Sequence, residues 1–302
     1  INLYPSSNQN WKQSQSIEIE IFENGDIGLG GDFFVPPPNE LKSGLALGAQ
    51  LQYAWSTSKT EEPTQWTTLN VAEYEEGTES TTATVIASGL NGKYYLWVKP
   101  INVKDLAGNS VTDTIKSGEF WFDNTRPTIE ITADKQSPTN AETITYTLTF
   151  SEEVTGLESS DIVVTNGTIQ SLSGSGQQYT LVVSNSGTCT QTVSVPQNVC
   201  VDSAGNGNET AEISIEIDRT RPTVTITTEE PNPVSKYRWI EYIIKFSEPV
   251  TGFEQSDIYI INGEIMDKGQ QFKKISDTEY TISVKSEDAF MYGALNIKVI
   301  VN

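Results

Sequence analysis

Histidine does not occur in the 302 residues. Its absence removes the commonest general base, the serine-histidine-aspartate triad and most catalytic zinc sites. Basic residues are scarce as well, 19 against 40 acidic, for a net charge of -21. That balance argues against nucleic acid or an anionic membrane as a partner and favours divalent cations. No apolar run reaches the length of about 18 residues that a membrane-spanning helix needs, and no basic-then-apolar leader opens the chain. The first residue is Ile1, not Met, so the expectation is a processed protein or a piece of a longer one. Helical periodicity is missing too, and no amphipathic helix is expected.

Cysteine is nearly absent. Cys189 and Cys200 flank an expected strand, Gln191 to Pro196, and at about 3.3 Å per residue a straight strand holds them too far apart for a disulfide. A bridge requires the chain to fold back after Pro196; two separately buried thiols are the alternative.

What the sequence has in abundance is period-two alternation. Ile144, Tyr146, Leu148 and Phe150 alternate with Thr143, Thr145, Thr147 and Thr149, the pattern of a strand with one buried and one wet face. Ile240, Tyr242, Ile244 and Phe246 repeat it. Tyr179, Leu181 and Val183, and later Tyr280, Ile282 and Val284, predict a further core strand in each repeat. Asn91-Gly92, Asn166-Gly167, Gly174-Ser175-Gly176 and Asn262-Gly263 supply the positive backbone angles of tight hairpins. The expected fold is all-β and antiparallel.

The alternation is organised in repeats. Asp123-Asn124-Thr125-Arg126-Pro127-Thr128 returns 95 residues later as Asp218-Arg219-Thr220-Arg221-Pro222-Thr223. Phe150-Ser151-Glu152, Val154-Thr155-Gly156 and Ser160-Asp161-Ile162 return as Phe246-Ser247-Glu248, Val250-Thr251-Gly252 and Ser256-Asp257-Ile258. Asp105-Leu106-Ala107-Gly108-Asn109 returns as Asp202-Ser203-Ala204-Gly205-Asn206. A period near 95 is too long for a solenoid and fits one small β-sandwich per repeat. The expected modules are residues 1–123, 124–218 and 219–302, the first divergent and carrying a long irregular stretch from Gly25 to Leu51, the last lacking a counterpart of the final strand. In the first module Trp55, Trp97 and Trp121 are expected in the core, whereas Trp11 and Trp66 lie in less regular sequence.

These motifs, in this order, resemble the bacterial immunoglobulin-like domains of large repetitive cell-surface adhesins. The resemblance covers about two thirds of the chain and is fullest from Phe150 to Asp218. It implies tandem immunoglobulin-like sandwiches, an extracellular cell-surface location and a structural stalk or spacer that is not an enzyme. Partners would then be a cell-surface or matrix protein or a glycan, bound through other parts of the chain. A ligand- or glycan-binding module is the alternative role, and so is a fibre subunit assembled by strand donation, with Ile1 and Leu3 as the start of a donor.

Carboxylate, amide and carbonyl oxygens near a module boundary suit calcium, which takes six to eight oxygen ligands in irregular geometry. The expected first site comprises Asp105, Asn109 and Asp123 with Glu152 or Glu153. The expected second comprises Asp202, Asn206 and Asp218 with Glu248. The family resemblance implies a clamp that stiffens the hinge; a plain turn, in which Asp caps backbone amides, is the competing explanation. Glu152 and Glu153, or Asp161, could also be offered as members of a carboxylate pair for glycoside hydrolysis, but tandem recurrence of Glu152 and Asp161 as Glu248 and Asp257 favours fold or metal. Asn166-Gly167-Thr168 and Asn208-Glu209-Thr210 match the acceptor pattern for N-glycosylation.

Overall fold

The computed structural model describes residues 12–22, 27–29, 44–230, 239–261, 263–265, 272–286 and 296–299. The Ile1–Leu3 donor, Trp11, most of the Gly25–Leu51 stretch and Asn262 lie outside the described residues. Contacts divide the chain into two units, Ile1–Asp218 and Arg219–Asn302.

The first unit holds two sandwiches with separate cores. In the first, β1 (Ser14–Phe22), β2 (Ile27–Leu29) and β5 (Ser80–Ser88) form one sheet in the order β2-β1-β5. β3 (Gln50–Ser56), β4 (Thr67–Asn70), β6 (Gly92–Pro100) and β7 (Ile115–Phe122) form the other, in the order β4-β3-β6-β7. All pairings are antiparallel. Between the sheets Ile19, Ile21, Leu51 and Leu96 are fully buried, and Trp55 stands edge-on to Phe120 and Phe122 at centroid distances of 5.4 and 5.3 Å. Trp55 therefore packs on the core, as its alternating run predicts. Trp97 is buried as expected, though outside the cluster between the sheets, whereas Trp121 is only half-buried. They share the outer face of β6 and β7 with Tyr95, and lysines roof them: Lys93 lies 4.3 Å from the Trp121 ring and Lys116 lies 5.4 Å from Trp97. The run Tyr94 to Val98 is apolar on both faces, so alternation alone could not say which aromatic points inward.

The second sandwich pairs a β11-β9-β8 sheet with a β10-β12-β13 sheet. Its strands are β8 (Ile129–Ala133), β9 (Thr143–Val154), β10 (Val163–Thr165), β11 (Gly167–Asn185), β12 (Cys189–Val195) and β13 (Ala211–Ile217). Ile144, Tyr146, Leu148 and Phe150 are all buried, and the intervening threonines face out. β-Branched residues suit such a half-buried pleat. The long β11 folds back on itself at Gly174 (φ 110°) and Gly176 (φ 67°): Gln170 Nε2 in its first half donates to Ser184 Oγ in its second at 2.9 Å. The core holds one buried polar pair, the Tyr146 hydroxyl donating to Gln191 Oε1 at 2.8 Å. Burial pushes the Tyr146 hydroxyl up to about 12, and the Asp134 charge adds to this.

The second unit repeats the plan. Its main sheet runs β14 (Val224–Thr227), β15 (Trp239–Phe246), β19 (Glu279–Ser286) and β17 (Gly263–Ile265), with β18 (Phe272–Lys274) also paired to β19; β16 (Ile258–Ile261) pairs with β20 (Asn296–Val299). Phe246, Phe253, Phe272 and Tyr280 form its aromatic centre, with Phe253 4.9 Å from Tyr280.

The repeated Ser-x-Asp-Ile segment has a structural cause. Asp161 and Asp257 each end a one-turn 3-10 helix and accept a hydrogen bond from the amide three residues earlier, Glu158 and Glu254, at 2.8 Å. These carboxylates are caps.

Candidate metal centre

The linker Asp123–Thr128 is fastened on both sides. Toward the first sandwich, the Asp123 amide donates to Lys12 O at 3.0 Å, and Asn124 Nδ2 donates to Leu90 O at 2.6 Å and Gln13 O at 3.1 Å. Toward the second, Arg126 Nε pairs with Glu209 at 2.8 Å and its guanidinium also donates to the Asn208 carbonyl at 2.9 Å. Pro127 is buried, and its carbonyl accepts from Glu209 N at 2.8 Å. Thr128 and Ser151 exchange bonds of 3.0 Å. The same exchange joins Thr223 and Ser247 at 2.9 Å in the second unit, which explains why the Pro-Thr and Phe-Ser motifs recur together.

At this junction the loop between β12 and β13 turns back toward the linker. Asp202 organises it: Oδ1 accepts from the amides of Ala204 and Asn206, both at 2.8 Å, and Oδ2 accepts from Asn206 Nδ2 at 2.7 Å. Gly205 takes φ 95°, a conformation that glycine adopts without strain. The other Asn206 Nδ2 hydrogen reaches the Asp123 carbonyl at 3.0 Å. Asp202 and Asn206 are both buried. Glu152, near the end of β9, completes the group, so that carboxylate oxygens of Asp123, Glu152 and Asp202 all lie within 4.8 Å of one another. Strand alternation turns the neighbouring Glu153 away, exposed beside Gly176. Burial, and then the charges of Asp202 and Asp123, raise Glu152 above its usual carboxylate range.

Two oxygens bound to one calcium at about 2.3–2.6 Å can stand up to about 5.2 Å apart. The spread of this triad fits that limit. Each carboxylate keeps lone pairs beyond those used by the loop, and three like charges this close repel one another unless a proton or cation intervenes.

The partnership differs from the one expected within each module. Asp105 sits between β6 and β7, bridged to Leu45, and β7 then carries the chain about 25 Å, eight residues at ~3.3 Å each, before Asp123. The register shows this directly: Val98 pairs with Ile115 at one end and Gly92 with Phe122 at the other. Asp105 and Asn109 therefore close their own loop, with Asn109 N and Nδ2 each donating to Asp105 at 2.7 Å, at the opposite end of the sandwich from Asp123. The second module behaves alike. β13 separates Asp202 from Asp218, whose amide donates to Thr139 O at 2.9 Å. A strand reverses ends, so the Asp202 loop addresses the linker that precedes its module. The second expected group is divided, Asp202, Asn206 and Asp218 lying in the first unit and Glu248 in the second.

Two questions that the sequence leaves open have structural answers. Cys189 and Cys200 are free thiols; β12 runs straight from Cys189 and places them apart, and burial pushes the Cys200 thiol up to about 11. Asn208 is fully buried and donates to Pro196 O and Glu209 O at 2.8 and 2.7 Å while accepting from Val199 N and Cys200 N at 2.9 and 3.0 Å. It brackets the loop, and its amide is closed to glycosylation in the folded protein. The roles of Asn206, Asn208 and Arg126 as ties between linker and loop are not visible in spacing; the recurrence of Arg-Pro was the available signal for the last.

Two-sheet antiparallel sandwiches with a fastened junction define a chain of immunoglobulin-like modules. Residues 123–217 match the family model described as a bacterial Ig-like domain, so this segment is such a domain. No curated protein matches the sequence. Among solved structures, the chain is similar to FdeC, an Escherichia coli adhesin, at 15% identity over 72% of this chain and 73% of that one, with a TM-score of 0.29. It is similar to invasin, a bacterial integrin-binding protein, at 12% identity over 90% of this chain and 54% of that one, TM-score 0.28. A marsupial T cell receptor is similar at 11% identity over 91% and 90%, TM-score 0.29. No helix among the described residues is long and apolar enough to cross a membrane.

Proposed function

We propose that this chain is a non-catalytic stalk segment of an extracellular, cell-surface adhesin or appendage, and that calcium stiffens the junction between its first two modules. The observation that carries this reading is the convergence of Asp123, Glu152 and Asp202 within 4.8 Å at a linker already fastened on both sides. The Asp123 and Asp202 carboxylates and that of Glu152 would hold the ion. It would supply the positive charge that the triad lacks, and the pull between linker, β9 and loop would resist bending. The match of residues 123–217 to the bacterial Ig-like domain and the absence of histidine support a spacer over an enzyme.

Thermal unfolding in calcium and in chelator tests the proposal. A ligand bound only by the native state at 100 times its Kd adds about 2.7 kcal/mol, a rise of roughly 5–10 °C for a unit of this size. The double substitution Glu152→Gln with Asp123→Asn should abolish the rise. An unchanged midpoint in calcium overturns the clamp and leaves a junction held by hydrogen bonds.

A further inference from the structure

Residues 162–201 form a 40-residue run without one charged side chain, in a protein whose residues are 20% charged; an average stretch of that length would carry about eight. The run lies wholly in the second sandwich, from just before β10 to just beyond β12. It includes the outermost strand of each sheet. β10 ends the β10-β12-β13 sheet, and the folded-back first half of β11 ends the β11-β9-β8 sheet. Asn166 alone joins these strands, in a left-handed turn at φ 59°, so both edges lie on one flank of the sandwich.

Sheet edges in monomeric proteins are commonly guarded by charge, especially lysine, or by proline. This flank has neither. Its exposed residues are Val163, Thr165, Thr168, Gln170, Ser171 and Ser173, all of them strand-compatible and neutral. The other flank, by contrast, presents Glu130, Glu212 and Glu216 on β8 and β13. Apolar exposure at this place recurs. Val163 on β10 is 54% exposed, and its counterpart in the repeat, Tyr259 on β16, is 56% exposed, with Ile261 beside it at 44%.

We propose that this flank is a lateral association surface whose partner is a second copy of this chain, pairing edge to edge. Charge selects that partner. Two chains of net charge -21 repel over most of their surface, and the neutral flank is where two copies approach without juxtaposing carboxylates. Backbone amides and carbonyls of β10 and the first half of β11 supply the affinity, and the exposed Val163 supplies the apolar contact. The association is weak and side by side. It needs no calcium and does not depend on the stalk reading.

Sedimentation of the whole chain from about 1 to 300 µM, a range that covers weak transient interfaces, tests it. The expected result is a monomer–dimer equilibrium that tightens as salt screens the net charge. Val163→Glu with Ser171→Glu should raise the dimer Kd at least tenfold with an unchanged melting midpoint. Thr132→Glu with Ser214→Glu, which adds the same charge on exposed positions of β8 and β13 at the opposite flank, should leave it within twofold. A monomer at every concentration overturns the proposal. So does equal weakening by both pairs of substitutions, or a dimer that salt dissociates.

Discussion

Glu152 is held by two opposing demands: burial and two neighbouring carboxylates disfavour its charge, while a cation would require that charge. Its folded pKa lies above the unfolded one, so as pH falls the native state takes up the proton first. Without a cation the penalty is therefore full above the folded pKa and is relieved as pH drops through it. In chelator, Glu152→Gln should melt higher than the parent at about pH 7 and lose that advantage near pH 4.5. In calcium the order should reverse at about pH 7. Asn208 sets a different expectation. Replacing it with alanine strands two amides and two carbonyls in a buried loop, a loss of about 2–4 kcal/mol, read as a lower urea midpoint at constant slope. Asparagine in a glycosylation pattern and asparagine as a loop bracket look identical in sequence, because burial decides between them.

Strands were the most legible elements. Thr143–Phe150 alternates so regularly that its buried and wet faces follow from the residues alone, and Gly174-Ser175-Gly176 announces the reversal within β11. That reversal makes a sharp prediction. An added Cβ at Gly174 would collide with the Gln178 carbonyl at a positive φ, so Gly174→Ala should cost about 2–3 kcal/mol. Gly156 also has a positive φ but opens onto space, and Gly156→Ala should cost only about 1 kcal/mol. Chemical denaturation of both variants separates collision from backbone strain. The candidate site was legible as a set of residue types and illegible as a set of partners. Asp123 and Glu152 were named for one group and Asp202 for another. The residues between loop and linker contain a full strand, and a strand moves the chain to the far end of the sandwich, a step that proximity in sequence conceals.

For the whole molecule, a junction bonded to both neighbouring sandwiches behaves differently from a linker that merely spans them. Residues 123–128 should resist limited proteolysis in calcium and be cut at least several-fold faster in chelator, since cleavage follows local opening. Glu152→Gln should remove the difference. Cleavage at a rate indifferent to calcium would place the rigidity in Arg126, Asn124 and Asn206 alone. Three separate cores recur at the spacing of the repeat, since each sandwich buries its own apolar faces, while contacts gather the first two sandwiches into one unit.

The loop that addresses the junction arrives late in the chain. Asp123 precedes Asp202 by 79 residues, and nearly every strand of the second sandwich must be laid down before the loop can turn back. A ribosome or export channel delivering this polypeptide from its amino end would therefore release this joint loose and lock it only once the second sandwich had almost completed its fold. Stiffness at residues 123–128 would thus lag behind their synthesis by most of a module, and the first sandwich would emerge on a pliable tether.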